Sequence, residues 1–164
     1  MNGTGSFSRT LHWFIAVLGL AALCSGFLMT RSGTLSPIAM QLHIGLGALA
    51  GFLSLIRVLL WLVKGAPEQR FPVHSKIQAV SANMVHGLLR LVPLALLASG
   101  AAMIALSGSF PVIVSGKLVD LRVFAELPPR NLHHGAAICL AGLIGLHVAA
   151  ALWHWRREAS LEKP

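Results

Sequence analysis

The chain has 164 residues, of which 55% are hydrophobic and 11% charged, and its mean hydropathy is +0.75. A soluble domain carries about a quarter of its residues as charges, so a water-soluble globular enzyme is excluded and an integral membrane protein is indicated. The formal net charge of +8 has no soluble basic face with which to hold nucleic acid, and it reads instead as a signal of membrane orientation.

Four apolar runs follow one another, at about Leu11–Met29, Met40–Val63, Ser81–Leu106 and Leu132–Trp155. Each is long enough to cross a bilayer as a helix, the only open-chain element whose backbone is satisfied within lipid. The first follows a basic start and has the outline of a signal peptide. No small-residue cleavage signature closes it and it carries His12, so a mature helix is predicted. Between the runs lie a short turn around Arg31–Pro37, a polar loop Lys64–Ile77 with Pro67 and Pro72, and a loop Ser107–Asn131 ending in Pro128-Pro129. The last is long enough for a small cap. The expected fold is an all-α, up-and-down bundle of four transmembrane helices, one domain over residues 1–164 with no room for a soluble one.

Cys24 and Cys139 lie inside apolar runs and are expected to be buried as small hydrophobes. The chain contains no Cys-x-x-Cys-His, so covalently attached c-type haem is excluded.

The histidines carry the chemistry. His133 and His147 stand fourteen residues apart in the fourth run. That spacing returns a side chain to within about 40° of its starting face after a rise of about 21 Å. Two imidazoles thus look inward from one helix near opposite sides of the membrane. His12, His43 and His86 sit near the starts of the three preceding runs. Depth then sorts them: His12 and His147 fall on the cytoplasmic side and can share an inner iron, while His43 and His133 fall on the outer side and can share a second. Neutral imidazole is a normal axial ligand of haem iron, so two b haems per chain are expected. Ionisable residues inside a span are costly and usually functional, and four at matched depths are poorly explained as interfacial residues. His134 is thirteen residues before His147, about 140° from its face, so His133 is the better ligand. His43, Gly47 and Gly51 form a stripe, and Gly142 and Gly145 lie between the two fourth-helix histidines. Both sets suit the approach of a flat macrocycle and equally suit ordinary small-residue packing.

Arg57 is fourteen residues after His43 and shares its face. It suits a haem propionate or a snorkelling role toward the headgroups. His86 and Arg90 form an i, i+4 pair, and His154 follows His147 by seven residues on nearly the same face. These three are surplus to two irons. They form a candidate quinone site, with His74 and Lys76 as loop contributors, or else an ordinary basic interface.

Phe7-Ser-Arg-Thr-Leu-His12-Trp13, the His43 helix with Ile56-Arg57-Val-Leu-Leu-Trp, the His86 helix, and Gly145-Leu-His147-Val-Ala-Ala-Ala-Leu-Trp-His154 together resemble the bacterial cytochrome b561 family over nearly the whole chain. The resemblance implies a four-helix dihaem membrane protein. Its first and fourth helices ligate one haem (His12, His147) and its second and fourth the other (His43, His133). The family usually has an acidic residue directly after the outer ligand of the fourth helix; here His134 stands there. It also implies an electron carrier of the bacterial inner membrane linked to quinone, such as ubiquinone, some members oxidising superoxide at the outer face. Lys117, Arg122 and Arg130 in the outer loop would attract that anion or an acidic periplasmic redox partner. Two alternatives are a cytochrome b anchor subunit of a larger dehydrogenase or hydrogenase, and a non-haem transition-metal transporter. Against the transporter, no Asp or Glu lies inside a predicted span.

Lys and Arg orient the bundle. Arg9, Lys64, Arg70, Lys76, Arg156, Arg157 and Lys163 fall on one side, and Arg31, Lys117, Arg122 and Arg130 on the other, which puts both termini in the cytoplasm. Reporter fusions after Pro164 are therefore expected to be active in the cytoplasm and fusions within Val114–Leu121 outside it. The reverse pattern would exchange the two histidine layers.

Overall fold

The computed structural model describes residues 3–32, 36–65 and 76–161. His74, Arg70 and the loop prolines Pro67 and Pro72 lie outside the described residues, as does Lys163. Long helices dominate: α1 (Gly3–Ser32), α2 (Pro37–Lys64), α3 (Lys76–Ser107) and α5 (Pro128–Leu161), with a short α4 (Phe110–Val114) and a 3-10 turn (Leu121–Phe124) between α3 and α5. No strand occurs among the described residues. The four long helices each contain a stretch long and apolar enough to span a membrane. They overrun the predicted spans at their polar ends, because intrahelical hydrogen bonding continues past the apolar stretch into the headgroup region.

Local chemistry sets the boundaries. Pro37 occupies the first turn of α2 after Ser36, where its missing N–H costs nothing. Gly65 closes the same helix with φ 80° and donates its N–H to Trp61 O at 2.9 Å, a backbone conformation that favours glycine. Pro128 and Pro129 were expected to end a loop; they open α5 instead, for the reason that holds at Pro37. Pro93 lies inside α3, a position tolerated in membrane helices whose neighbours re-satisfy the freed backbone.

The connection between α3 and α5 is a small cap, as its length allows. Gly108 and Gly116 turn the chain at φ 65° and 69°, and Asp120 accepts from Arg122 N at 2.9 Å. Gln41 at the start of α2 donates Nε2 to Ile113 O at 2.8 Å, which ties α4 to the bundle. Ile113 of α4 and Phe124 of the 3-10 turn are buried.

Close helix seams run in chain order, α1 with α2, α2 with α3 and α3 with α5. Among the described residues α5 makes no comparable seam with α1 or α2. The small residues Ala22, Ala50, Gly51, Ser54 and Ser99 are buried beside a few larger ones such as Leu11, Met40, Val58 and Leu140, while Trp13, Phe14, Phe52 and Trp155 point outward. This is the inversion lipid requires: large apolar side chains gain nothing by leaving hydrocarbon, and small ones let backbones meet. It also corrects the expectation for Cys24 and Cys139. Both are free thiols on the exposed surface, where lipid solvates a weakly polar sulfur as well as a protein core would.

Of the expected glycine stripe, only Gly51 is at a close approach. A Cβ there would stand 2.7 Å from Leu97 Cβ on α3, whereas space is open beside Gly47, Gly142 and Gly145. Gly51→Leu should therefore wedge α2 from α3 and destabilise the bundle by about 1–3 kcal/mol, lowering the melting temperature in detergent by several degrees. Gly45→Leu, at an exposed position of the same helix with open space beside it, is the matched control and should leave it unchanged or slightly raised. Equal melting of the two variants would show that the seam does not close at Gly51.

Candidate functional site

Histidines gather in two layers at opposite ends of the bundle. In the layer on the cap side, His43 on α2 and His133 on α5 face each other with ring centres 6.2 Å apart and ring planes 75° from parallel. Both are half-buried. Nδ1 of His43 lies 3.0 Å from Ala22 O and 3.1 Å from Ser25 Oγ on α1. Nδ1 of His133 lies 3.2 Å from Leu96 O and 3.0 Å from Ser99 Oγ on α3. A carbonyl oxygen only accepts, so each Nδ1 carries the proton and each Nε2 keeps its lone pair. That tautomer is the one an imidazole needs to bind a metal through Nε2.

In the opposite layer His12 on α1 and His147 on α5 stand 6.3 Å apart, their planes 81° from parallel. His86 on α3 adds a third ring 5.3 Å from His147. Arg57 reaches across from α2 and its Nη1 lies 2.7 Å from His12 Nδ1. Guanidinium only donates, so His12 Nδ1 accepts, and the proton of a neutral ring sits on Nε2. His12 is therefore held in the tautomer opposite to that of the cap-side pair. The acids of the chain are Glu68, Asp120, Glu126, Glu158 and Glu162, all outside the apolar spans predicted from the sequence. Within the spans, the guanidinium thus meets an imidazole and no carboxylate.

Arg90, half-buried on α3, places its guanidinium 5.2 Å over the Trp61 ring of α2, a cation–π contact at the end of the bundle. His86 and Arg90 stand one turn apart on α3, so His12, Arg57, His86, Arg90 and His147 lie toward one end of the bundle. His154 stands one turn and more beyond, its ring edge-on to Trp153 at 4.8 Å. His134 is exposed beside its half-buried neighbour His133, as the helical angle predicts. Among the described residues no three His, Cys, Asp or Glu side chains form a group that could hold a bare metal ion.

Compared with known protein families, the chain matches Prokaryotic cytochrome b561 over residues 3–163. The chain belongs to the prokaryotic cytochrome b561 family. Neither curated proteins nor solved structures gave a match. As a cytochrome b561, the protein is a multi-pass transmembrane carrier of electrons that uses b-type haem.

The residues present fit such a group. Two imidazoles bound on opposite sides of one metal, each through one nitrogen at about 2.0 Å, have ring centres about 6.3 Å apart. Both cross-bundle pairs have that separation, and the 5.3 Å between His86 and His147 is too short for it. Four residues of the cap-side layer were absent from the sequence expectations: Ser25, Gly26, Ser99 and Gly100. A signal for them existed. A Ser-Gly pair begins thirteen residues after His12 and again thirteen residues after His86.

Proposed function

We propose that this b561-family chain holds two b haems and carries electrons between a periplasmic-side donor, superoxide included, and the quinone pool of the bacterial inner membrane. When bound, the two haems supply a one-electron relay across the bilayer. The observation that carries the reading is the pair of imidazole couples, at 6.2 and 6.3 Å, at opposite ends of one bundle.

On this reading His43 and His133 are the outer axial ligands and His12 and His147 the inner ones. The outer rings are already in the ligating tautomer. For His12 to bind through Nε2, Arg57 must release Nδ1 and take another anionic or polar partner. A haem propionate is such a partner, and the lack of a carboxylate within the spans supports that role for Arg57. The basic cap residues Lys117 and Arg122, with Arg130 in the first turn of α5, raise the local concentration of an anionic donor at the outer face. At the other end His86 and Arg90 offer donors and a titratable ring to a quinone head, and His154 extends the same face of α5 toward the surface.

Removing one ring from each couple separates the two sites. His12→Ala and His43→Ala should each lose one of two haems, as quantified by reduced-minus-oxidised spectra, and the lost components should differ. A variant that retained both haems with an unchanged spectrum would refute its ligand assignment.

The quinone site is tested by stopped-flow reduction of the purified protein with a soluble quinol. His154→Ala and Arg90→Ala should slow reduction by on the order of 10²-fold, the scale of a lost proton-transfer group, with both haems still bound. Unchanged kinetics in both variants would remove the site, and an unmodified protein that ignored quinol would favour the anchor-subunit alternative.

A further inference from the structure

The outer layer contains a feature that axial ligation alone does not require, and it occurs twice. On α1, Ser25 Oγ donates to Ala22 O at 2.9 Å while its lone pairs face His43 Nδ1 at 3.1 Å. On α3, Ser99 Oγ donates to Ala95 O at 2.6 Å, with Leu96 O at 3.2 Å, and faces His133 Nδ1 at 3.0 Å. The carbonyl partners, Ala22 and Leu96, each lie three residues before the serine. Directly after each serine comes a glycine. A Cβ on Gly26 would stand 2.8 Å from His43 Cε1, and one on Gly100 would stand 3.3 Å from His133 Cε1. The ring therefore lies against the helix surface where a side chain is missing, and from there Nδ1 reaches both the carbonyl and the hydroxyl.

The duplication extends beyond the cradles. His12 and His86 each precede a cradle serine by thirteen residues, and Arg57 and His147 each follow a cradled histidine by fourteen. The pairs α1–α2 and α3–α5 thus repeat one pattern. A serine in a membrane helix is often satisfied by its own helix carbonyl and needs nothing more. Two serines that are so satisfied, that also meet an imidazole across a seam, and that both precede a glycine under that ring, form a built support.

We infer that Ser25–Gly26 and Ser99–Gly100 are a duplicated cradle that holds His43 and His133 with Nδ1 protonated, and that the two serines are positioning residues setting the donor strength of both outer axial ligands. The inference rests on the proposed assignment of His43 and His133. Each Nδ1–H is shared between a backbone carbonyl and a hydroxyl whose own proton is given to the helix. In low dielectric such a chain polarises cooperatively, makes the imidazole more basic at Nε2 and favours ferric over ferrous iron. Losing the hydroxyl leaves the carbonyl alone, so the tautomer persists and the donor weakens.

The test is a redox titration, with ferric low-spin EPR, of the purified holoprotein carrying Ser25→Ala, Ser99→Ala or both. The outer haem should favour the ferrous form about tenfold more in each single variant, an upward shift of about 59 mV for one electron, while the inner haem stays unchanged. Ser25→Thr keeps the hydroxyl and should restore the original potential and EPR signal, a rescue that a purely structural role would not give. An outer haem with unchanged potential and EPR signal in both alanine variants would overturn the cradle. The ligand assignment would survive that result provided His43→Ala still loses the outer haem. If His43→Ala keeps both haems, the assignment fails, and the cradle's role as a ligand support fails with it.

Discussion

An imidazole inside a bilayer has no water to choose its tautomer, and the choice must come from the protein. Everything distinctive in this bundle depends on that constraint. Lone backbone carbonyls are rare inside a helical membrane protein, because helices consume them. The cap-side histidines reach helical carbonyls nonetheless, sharing Ala22 O with Ser25 Oγ and Leu96 O with Ser99 Oγ. That reach requires a seam tight enough for a ring from one helix to touch the backbone of the next. Glycine at 26 and 100 makes the seam tight enough.

Helix order follows from the same requirement. Histidine 43 must lie against α1 and histidine 133 against α3, and the close seams are α1 with α2 and α3 with α5. Each pair is thus locked by its own histidine, and the two pairs meet through α2 and α3 at Gly51 and Leu97. Across the remaining side, between α5 and the α1–α2 pair, no comparable backbone seam forms among the described residues, and His147 faces His12 and His133 faces His43 over about 6 Å. Outward-pointing large apolar residues cost nothing in lipid, so the bundle does not need a dense hydrocarbon core to stay folded.

The fold and the layers were legible in the sequence for a plain reason. Hydropathy reports the solvent, helical rise converts residue number into depth, and a histidine within a span is too costly to be incidental. His133 was distinguishable from His134 because an angle of about 140° separates the latter from the face of His147. Ser25 and Ser99 were not legible. A serine in an apolar run reads as an ordinary back-bonded residue, and its partner lies across a seam that helical periodicity does not describe. Arg57 was placed by its face, yet its contact with His12 was not foreseen, since the two residues belong to different helices and nothing in spacing relates their azimuths. The thiols of Cys24 and Cys139 were misplaced because burial rules for soluble cores were applied where lipid is the apolar phase.

Between the two repeats, the cap-side layer keeps one form and the opposite layer diverges. In the first half the positions of that opposite layer hold His12 and Arg57; in the second they hold His86 and His147. Four equivalent sites thus present three imidazoles and one guanidinium. The cap-side rings are tied to backbone, which cannot move without breaking a helix. In the opposite layer His12 meets Trp13, His147 and Arg57, and His86 meets His147, and the long stem of Arg57 can swing between partners. A layer tied to backbone suits a ligand pair that must keep one geometry. Movable donors beside the second pair suit a site where a substrate must bind, exchange protons and leave, as proposed for the quinone. The same fold repeat thus yields one layer specified by backbone geometry and one left adjustable by side-chain chemistry, and the substitution that separates them is arginine in one half where the other has histidine.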